Sequence, residues 1–246
     1  MSGLTKKDRL NIFFSYKGAS IMGKKINRAD YEIVKQFEQY STTNVSDALD
    51  KLGLKSGIDG ILPQPGMKKL VGTAITMKVT AAGESKPASH MGADLLRVAG
   101  KGDVIVIDNG GRRFENCWGE ILTYAAIQKG ISGTIIDGVF RDVDIIQELG
   151  YPVYARGLTP ATARGRTMQE DYNCIIRLGH VQVRPGDIVM GDQNGVVVIP
   201  TEKAEEVLKA TKDIYEREQS IIEQINKGIP FEEVDKKSGY DKMLEK

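Results

Sequence analysis

Residues 103–150, DVIVIDNGGRRFENCWGEILTYAAIQKGISGTIIDGVFRDVDIIQELG, alternate between two hydrophobic patterns, and that alternation decides the fold class. VIVID (104–108) is a compact apolar run suited to a strand buried on both faces, and Asn109-Gly110-Gly111 ends it. A helix is predicted from about Trp118 to Lys129, closed by Gly130. GTIID (133–137) reads as the next strand, Gly138 as a turn, and 143–149 as a helix stopped by Gly150 with Pro152 beyond. Strand, helix, strand, helix in this order predicts an α/β domain built on buried strands.

Outward from this stretch the pattern stays ordered. LVGTAITMKVTA (70–81) is rich in β-branched residues and reads as a strand, and Asp94–Ala99 as a short helix. Toward the N-terminus, Asp30 is a plausible helix cap, with Ile33, Val34, Phe37 and Tyr40 on one helical face. Ser41-Thr42-Thr43 reads as a break, after which Ser46-Asp47 opens a second helix, Ala48–Leu52, stopping at Gly53. Toward the C-terminus, residues 181–200 give short strands with turns at Pro185-Gly186 and Gln193-Asn194-Gly195. A long amphipathic helix follows from about Glu202 to Lys227, and the charged tail (232–246) suits one more short helix. Residues 1–28 read as an N-terminal extension without a clear period, and 29–246 as a single domain.

Composition excludes several classes. The formal charge of +1 gives no overall drive toward nucleic acid or a membrane surface. No apolar run approaches the roughly 18 residues of a membrane span. Cys117 and Cys174 lack any CxxC or Cys/His spacing, so neither a disulfide framework nor a structural zinc site is expected, and a cytoplasmic location is. Phosphate-binding P-loop, GxGxxG and GxSxG signatures are absent. With only His90 and His180, both read as structural or surface residues, any metal is expected on carboxylates and water, which suits Mg²⁺ or Mn²⁺. Eight of the 12 arginines fall between residues 101 and 190, where the lysines number two, so an anionic ligand is sought there.

The chemistry-bearing candidates are Gly119-Glu120 and, after 20 intervening residues, Arg141-Asp142. Each pair sits where a strand hands over to a helix, and in a parallel sheet such corners gather at one edge. Helix N-termini there offer free backbone N–H groups to a carboxylate. Arg141 has the fork to hold a keto acid and Asp142 the oxygens to hold a hard cation. For each residue alone, a helix-capping or ion-pairing role is the plainer reading.

Residues 118–160, WGEILTYAAIQKGISGTIIDGVFRDVDIIQELGYPVYARGLTP, resemble the RraA-like family, which includes 4-hydroxy-4-methyl-2-oxoglutarate aldolases. STTNVSDALD (41–50), LVGTAITMKV (70–79), KGDVIVIDNGG (101–111) and VRPGDIVMGDQNGVVVIP (183–200) match in the same order. The resemblance implies an αββα sandwich of the swivelling phosphohistidine-domain type, assembled as a homotrimer or a hexamer. It implies a divalent-metal-dependent lyase that cleaves 4-hydroxy-2-oxo acids to pyruvate without a Schiff base and decarboxylates oxaloacetate. Asp142 would then be the direct metal ligand, Arg141 the contact to the keto group, and Gly119, Glu120, Ile121 and Leu122 the backbone cradle for the pyruvate-like carboxylate. Glu120 would reach the metal through water, as would Glu218, near Glu216, from a neighbouring subunit. Arg112, Arg113, Arg164 and Arg166 are candidates either for a distal carboxylate or for surface ion pairs. The family also contains ribonuclease inhibitors, so a non-catalytic protein-binding regulator is the alternative expectation.

Overall fold

A computed structural model of the protein describes residues 26–55, 57–64, 66–84 and 90–238. In chain order the elements are α1 (Tyr31–Gln36), α2 (Thr42–Lys51), β1 (Leu62–Pro63), β2 (Leu70–Ala81), α3 (Ala93–Val98), β3 (Asp103–Asp108), α4 (Glu120–Gln128), β4 (Gly133–Phe140) and α5 (Val143–Glu148). Strands β5 (Val153–Leu158), β6 (Thr167–Tyr172), β7 (Ile176–Leu178), β8 (Val181–Val183), β9 (Ile188–Asp192) and β10 (Gly195–Ile199) follow, then α6 (Ala204–Asn226) and α7 (Phe231–Ser238). The main sheet runs β1-β5-β4-β3-β2-β9-β10, with β6 on the second half of β2. Strands β2 to β5 are parallel to their neighbours in that series, and β1, β6, β9 and β10 are antiparallel. Ile58 N donates to Val196 O (3.0 Å), which joins the segment before β1 to β10 and brings the sheet close to a closed barrel.

Alternation along the strands sorts side chains into three layers. Val104 and Val106 of β3, Ile135 of β4, Val189 of β9 and Val196 and Val198 of β10 meet inside the curled sheet. Ile105, Ile107 and Ile136 face outward against Leu95, Ala126 and Ile146 of α3, α4 and α5. Ile188, Met190, Val197 and Ile199 face the opposite way, against Phe37, Leu49, Val207 and Ile214 around α1, α2 and α6. Helices, sheet, sheet, helices is the αββα layering expected of the family, and the fold class is α/β. The twelve-residue β2 serves both halves, pairing with β9 at residues 70–73 and with β6 at 77–81.

Several boundaries differ from expectation for local reasons. The second helix starts at Thr42 instead of Ala48, because Ser41 Oγ accepts from Asn44 N (3.1 Å) while Asn44 Oδ1 accepts from Ser41 N (3.3 Å). This capping box turns the apparent break at residues 41–43 into the first turn. The strand expected at 133–137 runs on to Phe140, and Gly138 is inside it, not at a turn. A Cβ on Gly138 would lie 2.8 Å from Asn109 Cβ, so its small size serves a close approach between neighbouring strand ends. Strands β5 and β6 were not expected. Residues 1–25 of the extension and 239–246 of the tail lie outside the described residues, while α7 supplies the helix expected after α6. Arg28, the last extension residue, pairs through Nη2 with the buried Asp103 carboxylate (2.8 Å).

The C-terminal end of the inner layer is polar. Buried Asp137 on β4 accepts from Arg156 Nε on β5 and from Gly179 N (2.6 Å), so it joins two strands to the turn before β8. Asp137→Ala strands the arginine and an amide, and it is expected to lower unfolding stability by about 3 kcal/mol in urea titration.

Candidate active site

Two corners at the C-terminal edge of the parallel strands build the site. Phe140 ends β4 and Val143 begins α5, so Arg141 and Asp142 must turn the chain in two residues. Asp142 does so at φ +62° and ψ +36°, the left-handed region that Asp tolerates better than bulkier residues. Its side chain makes no cap for its own helix. Instead Oδ2 accepts from Glu120 N (3.0 Å), the first amide of α4. Oδ1 has no hydrogen-bond partner among the described residues. Arg141 N donates to Trp118 O (3.2 Å), which fixes the corner against the loop before α4.

Gly119 makes the approach possible. It caps α4 in an extended conformation, and a Cβ there would fall 2.6 Å from Asp142 Oδ2 and 3.4 Å from Arg141 Cγ. The amides of Ile121 and Leu122 precede the first intrahelical bond, Thr123 N to Gly119 O (3.1 Å), and so belong to the open end of the helix. Trp118 anchors this end from below: it is fully buried, donates through Nε1 to Thr123 Oγ1 (2.9 Å) and stacks on Tyr151 at 6.4 Å. Arg141 Nε lies 3.4 Å from Asp142 Oδ2, an ion pair without hydrogen-bond geometry. That nitrogen is buried and has no hydrogen-bond partner. A cationic donor that ion-pairs with a carboxylate yet makes no hydrogen bond, beside two open amides, is an arrangement suited to an anionic oxygen ligand.

Gly119, Glu120, Ile121, Leu122, Arg141 and Asp142 all line one cavity of about 460 Å³, so the structure brings together the two pairs read from sequence. The cavity falls in the size range of small-molecule sites. Its walls also include His90, Asn116, Arg164 and Thr167. His90 was read as structural or surface, and Asn116 and Thr167 were not singled out. Cys117 lines the cavity as well, but burial pushes its thiol up, which suits packing and not nucleophilic chemistry. Glu218 is elsewhere in the chain. It sits on α6, where its Oε2 accepts from Asn44 Nδ2 (2.6 Å), and burial, with Asp47 nearby, holds its carboxyl above the usual range despite that bond.

The donor set fits a magnesium-like cation. Asp142 offers a free carboxylate oxygen, and Glu120 follows Gly119 on the same cavity wall. Among the described residues no three acid, His or Cys side chains form a metal cluster. A cation that keeps several waters and takes one or two carboxylates matches that sparse set, and a chelating thiolate or imidazole site does not. Among the described residues no helix is long and apolar enough to cross a membrane.

Comparison with known proteins agrees with this architecture. The RraA-like family model, described as Aldolase/RraA, matches residues 42–198. A Halalkalibacterium halodurans protein with the provisional name 4-hydroxy-4-methyl-2-oxoglutarate aldolase is 34% identical over 204 residues, covering 81% of this chain and 93% of that protein. Protein DlpA of Legionella pneumophila is 32% identical over 201 residues; the match takes in 82% of this chain but spans only 33% of DlpA. Among solved structures, an uncharacterized Pseudomonas syringae protein superposes with a TM-score of 0.75 at 32% identity, covering 85% of this chain and 98% of that one. Streptomyces coelicolor RraAS2, described as an unusual member of the RNase ES inhibitor RraA protein family, gives 0.72 at 29% identity over 78% of this chain and 97% of its own. The family match over both corners of the site and the layered sheet between them lead to one conclusion: this protein belongs to the RraA-like family.

Proposed function

We propose that the protein is a divalent-metal-dependent lyase that cleaves 4-hydroxy-2-oxo acids such as 4-hydroxy-4-methyl-2-oxoglutarate to pyruvate and a second oxo acid. Oxaloacetate decarboxylation follows from the same chemistry. The observation that carries this reading is the Asp142 corner: a carboxylate fixed at the N-terminus of α4, with Arg141 Nε paired to it but making no hydrogen bond. Relatives with aldolase names support the reaction class.

The chain's residues divide the work. The open amides of Ile121 and Leu122 hold the substrate's 1-carboxylate at the helix end. Arg141 donates to the 2-oxo oxygen, where negative charge collects as the C3–C4 bond breaks and pyruvate leaves as its enolate. Glu120 takes the proton of the C4 hydroxyl through a water, which lets C4 become the carbonyl of the second product. A Mg²⁺ or Mn²⁺ ion on Asp142, when bound, supplies Lewis-acid polarisation of the same 2-oxo group. No lysine is needed for a Schiff base. Glu120→Gln is expected to keep substrate binding while losing the acidic limb of the kcat–pH profile; an unchanged profile removes Glu120 from the role of base.

Assembly belongs to the proposal. Ile121, Tyr124 and Ile127 leave an exposed apolar edge on α4 beside the cavity, and Glu218 is not among the residues that line it. We read both as features of a homotrimer or hexamer in which Glu218 of one subunit completes the water shell of its neighbour's metal. The second reading, a regulator that binds a ribonuclease, draws on the name of RraAS2. Pyruvate release from 4-hydroxy-4-methyl-2-oxoglutarate with Mg²⁺, set beside ribonuclease pull-down by the same protein, separates the two. Turnover lost to EDTA and restored by Mg²⁺ supports the lyase, and ribonuclease capture without turnover supports the regulator.

A further inference from the structure

Two segments of the cavity lining are joined by one side chain. Gly119, Glu120, Arg141 and Asp142 belong to the catalytic corner, and Thr162 and Ala163 to the loop before β6. Asn116, 7% exposed, is bonded to both. Its backbone N donates to Ala161 O (3.3 Å) and its Oδ1 accepts from Ala163 N (2.7 Å), which ties the loop in place. Its Nδ2 donates to Trp118 O (3.2 Å), the carbonyl that also accepts from Arg141 N (3.2 Å). The next amide, Cys117 N, donates to Val139 O (3.3 Å), so the backbone that carries Asn116 is itself fastened to β4.

Hydrogen-bond chemistry dictates which way this amide faces. Ala163 N can only donate and Trp118 O can only accept, so the oxygen of Asn116 lies toward the loop and its nitrogen toward the corner. An ionised aspartate in its place has no donor for Trp118 O, and an aliphatic residue leaves Ala163 N without its bond. What the corner gains is a fixed Trp118–Gly119 peptide. A peptide unit is planar, so holding Trp118 O also holds Gly119 N and Cα. Tolerance there is small, because a Cβ on Gly119 would already fall 2.6 Å from Asp142 Oδ2. Rotation of that peptide disturbs both bonds that define the corner, Glu120 N to Asp142 Oδ2 (3.0 Å) and Arg141 N to Trp118 O.

We infer that Asn116 is a positioning residue: acting through Trp118 O, it sets the place of Arg141 and Asp142, and it holds the loop before β6 in register with them. Its effect on turnover rests on the lyase reading above; its hold on the corner does not. A freed corner moves little in distance and much in rate, since misplacing a reacting group by about 1 Å can cost on the order of 10².

The test is Asn116→Asp, because a carboxyl keeps the bond from Ala163 N yet donates to Trp118 O only when protonated. Burial raises the pKa of a carboxyl, so the introduced group regains its proton, and with it the donor, as pH falls. With Mg²⁺ and 4-hydroxy-4-methyl-2-oxoglutarate, kcat relative to the wild type is expected to be down about tenfold or more at about pH 8 and to recover in part at about pH 5.5. Hydrogen exchange of the same protein at the higher pH, read by mass spectrometry, is expected to quicken in peptides covering 118–122 and 140–142 and to stay slow at 161–166. In Asn116→Ala, which frees both ends, it quickens in all three. Wild-type kcat with wild-type exchange at the corner overturns the inference. So does a kcat loss that is the same at every pH with exchange raised across the whole chain, the mark of a merely structural residue. If the wild type does not cleave the compound, the lyase reading fails and exchange decides alone. Faster exchange at the corner beside a protected loop in Asn116→Asp supports the positioning role, and no change at the corner overturns it.

Discussion

Arg141→Ala is expected to lower kcat for pyruvate release by about a hundredfold to a thousandfold while the protein stays folded. The size follows from the atom removed. Loss of one donor aimed at a developing oxyanion costs about 10²–10³ in rate, and the positive charge of Arg141 puts it toward the upper end. Stability is spared because the corner is held by backbone: Arg141 N on Trp118 O stays in the variant, and the side chain is about a third exposed. Arg141→Lys recovers little, since an ammonium lacks the planar fork that spans two oxygens. Steady-state pyruvate assays with thermal melts on the same preparations check both halves. A variant with wild-type kcat removes Arg141 from the chemistry.

Gly119→Ala is the second large effect, and it works through space alone. The backbone at Gly119 is extended, with φ −170° and ψ −168°, so an alanine fits the dihedral angles without strain. Its methyl carbon, however, would stand 2.6 Å from Asp142 Oδ2, well inside contact distance. The carboxylate must then leave Glu120 N, and Arg141 Cγ at 3.4 Å limits where it can go. Misplacing a reacting group by about 1 Å can cost on the order of 10² in rate, and that is the loss expected in kcat/KM, with weakened Mn²⁺ affinity alongside. Secondary structure measured by circular dichroism stays as in the wild type. Unchanged activity would mean that the Asp142–Glu120 contact is dispensable.

Among the strands, the plainest in sequence are those whose burial is complete. VIVID and GTIID are covered on both faces, so their apolar character is continuous and their order with the helices is plain. Strand β5 escaped notice because Arg156 interrupts it, and its partners, Asp137 on the neighbouring strand and the Asp59 carbonyl, come only from the tertiary fold. Strand β6, TMQEDY, is polar because it pairs with one half of β2 at the sheet's edge. Gly138 looked like a turn since glycine marks both turns and close approaches, and sequence does not tell them apart. At the site, Gly119-Glu120 and Arg141-Asp142 were visible as strand-to-helix corners. Asn116 and Thr167 were not, because their place at the cavity comes from tertiary hydrogen bonding and packing with no local pattern. Arg164 was one of four equal arginines until the structure placed it, alone of the four, on the cavity wall.

Asp142 is the centre of the account, and its metal affinity is the most direct measure of it. EDTA-stripped wild type and Asp142→Ala are titrated with Mn²⁺ by calorimetry in the presence of pyruvate. Saturable binding by the wild type is expected, with loss of at least a hundredfold in affinity in the variant, which gives up the carboxylate proposed as the direct metal ligand. Equal Mn²⁺ binding by the two proteins would contradict it.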